Sequence, residues 1–386
     1  NIAGFRVLRI MNDSAAAALA YAERKHAPPE EHNVVIFDFG GGTLDVSVIC
    51  IEDGIIEVKA VSGDPELGGE DLDNAVFEHM RARFQRKYRT DLRSSHRARR
   101  RLLTACERAK RTLSSHAVAH FEIDSLHEGI DFNETITRAR FEDLINDKLE
   151  RALNLVGQAL RDARLTRDDI DQVLLVGGSS HVPKVQQSLA QYFGAHKLNK
   201  ALDPDEAVVH GAAVQAALLT DRGGARELDQ FVVVNVAAHS VAVERGTGLL
   251  RKNSTIPCKW DVVYTTHEDN QSEICFDIFE GELERVRGNR LLGSVSLRGI
   301  PPAPCGVPQI NVTLDIDANG VVHVNAKDMG GRAGDLVHTV VVKDCMSVDE
   351  VEESVKSVQA LEAACNAKQA QKEHMTKPAA RYTTQE

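Results

Sequence analysis

From Asn1 to about Leu219, apolar residues fall in short runs separated by long amphipathic stretches. Val34–Phe39, Asp45–Ile51 and Gln172–Val176 are rich in β-branched residues and end in polar or glycine-rich turns, so they predict strands. Ile2–Ile10 reads as a further strand entering the fold. Strands alternating with helical stretches predict an α/β domain. After the polar, glycine-containing run Thr220–Arg226 the texture changes. Phe231–Val236, Ile274–Phe279, Gln309–Asp315, Val321–Ala326 and Val337–Val342 are short β-branched segments punctuated by turn residues, the pattern of an all-β sandwich. The boundary falls near residue 228. Asp317-Ala318-Asn319-Gly320 predicts a hairpin turn, because Asn-Gly accepts the positive φ angles such turns need. Four prolines between Ile300 and Pro308 predict a loop. Ser347 with Glu350 three residues on is a capping box that starts an acidic helix, and Lys372–Glu386 has nothing to bury and is expected to be disordered.

Length and composition narrow the class. The chain has 386 residues, room for two or three domains, and 42% hydrophobic content supports real cores. With 46 basic and 57 acidic residues the formal charge is −11, which argues against a protein that neutralises many nucleic-acid phosphates over its whole surface. No apolar run approaches the roughly 18 residues of a membrane span. Seven scattered cysteines without a C-x-x-C pair fit neither a disulfide framework nor a zinc site, and point to a reducing compartment. The chain starts at Asn1 inside an apparent strand, with no charged and apolar leader, and is read as a fragment.

The strongest chemical signal is Asp38-Phe39-Gly40-Gly41-Gly42-Thr43-Leu44-Asp45, with a strand on each side. Three glycines can aim successive backbone N–H groups at an anion, and Asp38 and Asp45 would then serve a hydrated cation or orient a water. A glycine-rich hairpin with surface aspartates has the same pattern. It is not a Walker loop, since Gly-Lys-Ser/Thr is missing and a strand follows. A second turn, Val176-Gly177-Gly178-Ser179-Ser180-His181-Val182-Pro183, places a strand end before a helix start; it suits a nucleotide contact or a plain tight connection. Glu107, Lys110, Arg111 and Ser114 share one helix face, which fits a ribose-and-base contact or an ordinary solvated surface. Asp203-Pro204-Asp205-Glu206 caps a helix whose Gly211-Ala212-Ala213 permits close backbone approach. The arginine-rich stretch Arg81–Arg101 reads as the solvated face of a long helix rather than a nucleic-acid site, and Phe231–Val234 as a buried strand or an apolar linker.

Together the segments Asp38–Asp45, Leu67–Asn74, Thr104–Ser115, Asp203–Ala217, Gly299–Ile310 and Asp315–Gly320 resemble the 70-kDa heat-shock protein family, in order, from Asn1 to about residue 365. The wording of Thr104–Ser115 is similar to the eukaryotic cytosolic or nuclear branch. The resemblance implies a partial actin-like α/β ATPase domain over 1–228, its first lobe mostly missing, and a linker over 229–236. A β-sandwich peptide-binding domain over 237–345 and the start of a helical lid with a tail over 346–386 would follow.

The same resemblance implies an ATP-dependent chaperone using ATP or ADP with Mg. Gly40, Gly41, Gly42 and Thr43 would hold phosphates, Asp38 would face the metal through water, and Asp38, Thr43 and Asp45 would form the catalytic set. Glu107, Lys110, Arg111, Ser114, Gly177, Gly178, Ser179 and Asp205 would contact adenosine. Val241, Val243, Tyr264, Ile274 and Phe276 would line a peptide cleft, and Phe231–Val234 would be the coupling linker. Implied partners are unfolded polypeptides, J-domain co-chaperones and nucleotide-exchange factors, with no nucleic acid and no membrane, in the cytoplasm or also the nucleus.

Departures from the family pattern bear on this expectation. The first phosphate loop and a catalytic lysine lie outside the chain, so it is not expected to hydrolyse ATP well as it stands. Asn12-Asp13-Ser14 replaces Asn-Glu-Pro, His181 and Cys305 each replace an arginine, and the segment around Gly246–Leu250 is shortened. Rival readings are a degenerate module that binds peptide or nucleotide without hydrolysis, and a sugar or acetate kinase.

Overall fold

The computed structural model describes residues 6–25, 30–220, 231–244, 249–330, 336–339 and 356. The expected boundary near 228, the shortened segment near Gly246 and, apart from Lys356, the Ser347 helix and the polar end lie outside them.

The first part runs α1 (Asp13–Lys25), β1 (His32–Phe39), β2 (Leu44–Glu52), β3 (Ile55–Asp64), α2 (Gly69–Tyr88), α3 (His96–Ser115), β4 (Val118–His127) and β5 (Ile130–Thr137). It continues with α4 (Arg138–Leu144), α5 (Asn146–Asp162), β6 (Gln172–Val176), α6 (Pro183–Phe193), β7 (Leu198–Asn199) and α7 (Ala207–Thr220). The second part comprises β8 (Val232–Val236), β9 (Val241–Val243), β10 (Leu249–Leu250), β11 (Thr255–Ile256), β12 (Cys258–Tyr264), β13 (Glu273–Glu280), β14 (Arg290–Arg298), β15 (Ile310–Ile316), β16 (Val322–Asp328) and β17 (Leu336–Thr339).

A seven-stranded mixed sheet, ordered β11-β8-β3-β2-β1-β6-β7, organises the first part. Its central strands are apolar on both faces because both are covered. On β1, Val35, Phe37 and Phe39 enter one core with Leu102, Val156 and Val185 of α3, α5 and α6. Val34 and Ile36 face the opposite core with Leu19 of α1 and Val214 of α7. Gly211 makes that second layer possible: a Cβ there would lie 1.7 Å from the Ala16 carbonyl oxygen, so α7 and α1 cross backbone to backbone, as the sequence suggested.

The valine run matched to a linker is strand β8. It pairs in parallel with β3, Ile55 opposite Val232, and antiparallel with β11. Val232 is exposed whereas Asn235 and Val236 are buried, so β8, between β3 and β11, is covered only toward its C-terminal end. The sheet thus recruits strands from both sides of residues 221–230.

Beyond it, two four-stranded antiparallel sheets, β10-β9-β13-β14 and β12-β15-β16-β17, enclose one apolar cluster containing Val243, Ile278 and Leu297 from the first and Val312, Leu314 and Val324 from the second. The predicted Asp317–Gly320 turn joins β15 to β16: Asp317 Oδ1 accepts from the amides of Asn319 and Val321, and Gly320 has φ +79°.

Two expectations are corrected. Residues 6–12 form no strand: they pair with no described strand, and the Ile10 amide donates to the Asn319 side chain at 3.3 Å instead. The arginine-rich stretch is not one helix: Arg89 turns left-handed at φ 59°, Leu92 is buried, and Ser95 caps α3 by accepting from the Ala98 amide.

Candidate functional site

β1 and β2 form a hairpin whose last ladder pair is Phe39 with Leu44. The loop between them is closed by the Gly40 amide, which donates to the Thr43 carbonyl at 3.0 Å. Gly41, Gly42 and Thr43 are exposed, and a Cβ at Gly41 or Gly42 would meet nothing within 4 Å. The loop tip therefore has free space in front of it, as an anion-holding loop requires.

Three chain segments far apart in sequence hold this loop. The Gly69 and Glu70 amides, orphan donors at the start of α2, bond the carbonyls of Gly40 and Gly41 at 3.0 and 2.8 Å. Strand β6 runs parallel to β1 with Val176 beside Asp38, which carries the Gly177 turn up against the loop. A Cβ on Gly177, at φ +79°, would stand 2.5 Å from the Phe39 carbonyl oxygen and 2.7 Å from Asp38 Oδ1. Ser179 Oγ donates to the Gly40 carbonyl at 2.8 Å and so straps the two glycine turns together.

The third segment is α3. Lys110 Nζ donates to the Gly69 carbonyl and to Asp73 Oδ2, both at 2.8 Å. A Cβ on Gly69 would meet Ser179 Oγ at 2.4 Å, Lys110 Nζ at 3.0 Å and the Gly40 carbonyl at 3.4 Å, so all three predicted segments converge on this one glycine. Of the α3 face, Lys110 is inward and committed, while Glu107 and Arg111 pair with each other at 2.8 Å on the open surface. Ser114 is half-buried and reaches the Lys110 carbonyl only at 3.5 Å. Gly178 backs onto Asp205, whose Oδ2 lies 3.4 Å from His181 Nε2.

Carboxylates crowd the other side of the loop. Burial pushes the Asp38 carboxyl up to about 6, and the Asp13 and Asp45 carboxylates add to the shift. Asp45 is raised for the same reasons, desolvation in the cleft first and Asp13 after it, opposed by a hydrogen bond from Thr43 Oγ1 at 3.3 Å and by nearby His239. Such mutual repulsion is what a hydrated divalent cation relieves, so the donor set fits magnesium. A cavity of about 600 Å³ opens here, lined by Asp13, Thr43, Asp45, His239, Lys252 and Glu282 among others, with the last three supplied by the second part of the chain.

Asp13, Gly68, Gly69, Asp73 and His239 were not singled out as site residues. The pair Gly68-Gly69 had a signal, since it sits in the Leu67–Asn74 segment; a Cβ on Gly68 would lie 2.4 Å from the Gly41 carbonyl. The five residues matched to a peptide cleft lie between the two β-sheets. Val241, Val243, Ile274 and Phe276 are buried in the shared cluster, and Tyr264 packs on it with its ring 5.0 Å from that of Phe276.

The Lys110–Asp73 pair is 12% exposed on each side, and Asp73 Oδ1 is buried with no hydrogen-bond partner among the described residues. Burial raises the Asp73 carboxyl and Lys110 opposes that shift. Lys110→Met should therefore cost about 3 kcal/mol by stranding a buried charge, and Lys110→Met/Asp73→Leu should recover much of it, as read by urea denaturation.

Comparison with known proteins supplies the family. A family model described as Hsp70 protein matches residues 1–386. This chain belongs to the Hsp70 family. Heat shock 70 kDa protein 2 of Paracoccidioides lutzii is 48% identical over 356 residues, covering 91% of this chain and 54% of that protein. The heat shock 70 kDa protein of Neurospora crassa is 46% identical over 355 residues, 91% of this chain and 55% of its own. Heat shock cognate 70 kDa protein 3 of Dictyostelium discoideum is 44% identical over 363 residues, 93% of this chain and 58% of its own. The chain spans about half the length of the Hsp70 relatives it matches. No helix among the described residues is long and apolar enough to cross a membrane.

Proposed function

We propose that this Hsp70 chain acts in an ATP-dependent chaperone, binding ATP or ADP with magnesium at the Gly40–Thr43 loop and extended apolar polypeptide segments at the residues of the two-sheet part that match the family's peptide cleft. The observation that carries the nucleotide reading is the meeting of the Gly40, Lys110 and Ser179 segments around Gly69, beside an open loop tip. Gly40, Gly41, Gly42 and Thr43 would take the phosphates, and Asp38 and Asp45 the hydrated metal, which neutralises phosphate charge when bound. Gly177, Gly178 and Asp205 would border the adenosine with Glu107, Arg111 and Ser114 across from them. Lys110 and Ser179 have their polar atoms already engaged, so their part is to hold the turns in register rather than to grip the ligand.

For peptide, Val241, Val243, Ile274 and Phe276 are the apolar side chains matched to the cleft; they are buried in the shared cluster, so a peptide would reach them, and the Tyr264 hydroxyl beside them, unpartnered among the described residues, only where the two sheets part at this place. The wider setting goes with this reading: unfolded clients, J-domain co-chaperones and nucleotide-exchange factors, in the cytoplasm or nucleus.

Calorimetric titration with ADP, with and without magnesium, tests the site. The expected result is binding that strengthens with magnesium in this chain or in one joined to a family first lobe, with altered affinity for a labelled extended peptide when ATP is added. A folded protein that binds no nucleotide in either form would overturn the nucleotide reading, and peptide binding indifferent to ATP in the joined form would overturn the coupling.

A further inference from the structure

Strand β12 closes one edge of its sheet: it pairs with β15, Trp260 opposite Leu314, and no described strand covers its other side. An edge strand presents outward N–H and C=O groups, and most globular proteins blunt such edges with charged side chains, proline, bulges or covering loops. This edge carries two charges, Lys259 and Asp261, but of opposite sign, so they can attract a second copy of the strand instead of repelling it. It carries an aromatic residue, Trp260, 46% exposed, and a branched one, Val263, 57% exposed. Trp260 has the alternation of Cys258 and Tyr264, which pack against the core cluster, yet it is not part of that cluster.

The order of side chains along β12 is self-complementary. Placing a two-fold axis through Trp260 sets a second copy antiparallel and pairs Trp260 with Trp260, Lys259 with Asp261, and Cys258 with Val262, while Val263 falls opposite Pro257, which precedes the strand and offers no N–H. Both charged contacts are then between opposite signs, and both of the others away from the axis are apolar. A one-residue slip in either direction destroys this, since the charges no longer oppose each other. Lys259 and Asp261 sit on one face, anchored from β15: Lys259 Nζ is 2.8 Å from Asp315 Oδ2, and Asp261 accepts from Asn311 and Thr313. An ammonium with three donors and a carboxylate with two oxygens can each take a further partner from the open side.

We propose that β12 is an interface between two copies of this chain, joining their β12-β15-β16-β17 sheets into one continuous eight-stranded sheet about a two-fold axis at Trp260. Each copy offers the same patch, as an isologous dimer demands. The cross-strand aromatic pair and the two opposite-charge pairs are the contacts that stabilise antiparallel neighbours and fix their register.

The test uses the full chain in sedimentation velocity over a dilution series, with fluorescence of Trp260, the chain's one tryptophan, followed in parallel. The native chain should double its mass at high concentration, with Trp260 emission shifting to shorter wavelength as the dimer forms. Lys259→Asp places two acidic pairs across the axis and Asp261→Lys two basic pairs, so each alone should weaken association by about tenfold or more. An equimolar mixture of the two variants restores opposite charges at both contacts and should dimerise like the native chain. That rescue separates interface loss from misfolding, since a misfolded variant would not recover on mixing. A native chain that stays monomeric, variants that dimerise alone, or a mixture of variants, each native-like by circular dichroism, that stays monomeric would each overturn the proposal. An extended peptide that shifts Trp260 emission while the mass stays monomeric would overturn it too, by assigning the edge to peptide capture.

Discussion

Replacing Gly177 by alanine is expected to destabilise the chain by roughly 2–5 kcal/mol and to abolish nucleotide binding, whereas Gly41→Ala should leave stability within about 0.5 kcal/mol of the native value. The difference lies in what a Cβ would meet. At Gly177 it would press on the Phe39 carbonyl and Asp38 Oδ1 at 2.5 and 2.7 Å, in a left-handed conformation that L side chains resist. The Phe39 carbonyl cannot give way, because Phe39 belongs to the β1 ladder, and the Gly177 turn cannot back off, because its amide is held by the Pro204 carbonyl at 2.9 Å. At Gly41 a methyl would point into open space, so the fold should tolerate it while the ground in front of the loop becomes smaller. Urea unfolding and ADP titration of the two variants separate these effects. Equal stability losses at both positions would show that the Gly177 turn is not packed against the loop as described.

Asp38→Asn is expected to raise stability near pH 7 by up to about 3 kcal/mol and to flatten its dependence on pH between about 4 and 6. The Asp38 carboxyl moves from the ordinary 3.8 to about 6, with burial as the main cause and Asp13 and Asp45 next. A raised carboxyl means that the folded state holds a proton the unfolded state has released. Its contribution is fully present below about pH 4 and is lost as pH rises through 6, so stability falls over that window. Asparagine carries no charge to desolvate, and the loss disappears. Magnesium should act in the same direction on the native chain, by favouring the ionised cluster, and much less on the variant. Denaturation midpoints at pH 5 and 7, with and without magnesium, measure both. A native profile as flat as that of the variant would mean that Asp38 is not desolvated.

Most of the local structure was legible along the chain. Asp38–Asp45 announced two strands around a glycine loop, and Asp317–Gly320 a hairpin, because turns and strand alternation depend on residues close in sequence. The helical face of Glu107, Lys110, Arg111 and Ser114 follows from periodicity in the same way. The arginine-rich stretch misled for a related reason: charge and periodicity continue through Arg89–Ser95, and the break is made by a left-handed residue and a serine cap whose individual signals are weak.

The site and its burdens were settled by tertiary structure. Lys110 looked like a ligand contact from its helix face, and only the approach of α2 turns it into the partner of Asp73 and the Gly69 carbonyl. Asp38, Asp45 and Asp13 are separated in sequence, so the repulsion that raises the Asp38 carboxyl arises only when β1, β2 and α1 are packed together. The valines of β8 are equally suited to a buried strand or a linker by composition, and pairing with β3 and β11 makes them a strand. By itself the sequence determined strand and turn positions, the family and the residue types at the loop. Which glycines bear contact, which charges are committed and which strand edge stays open depended on long-range packing, where each answer comes from atoms brought together by the fold.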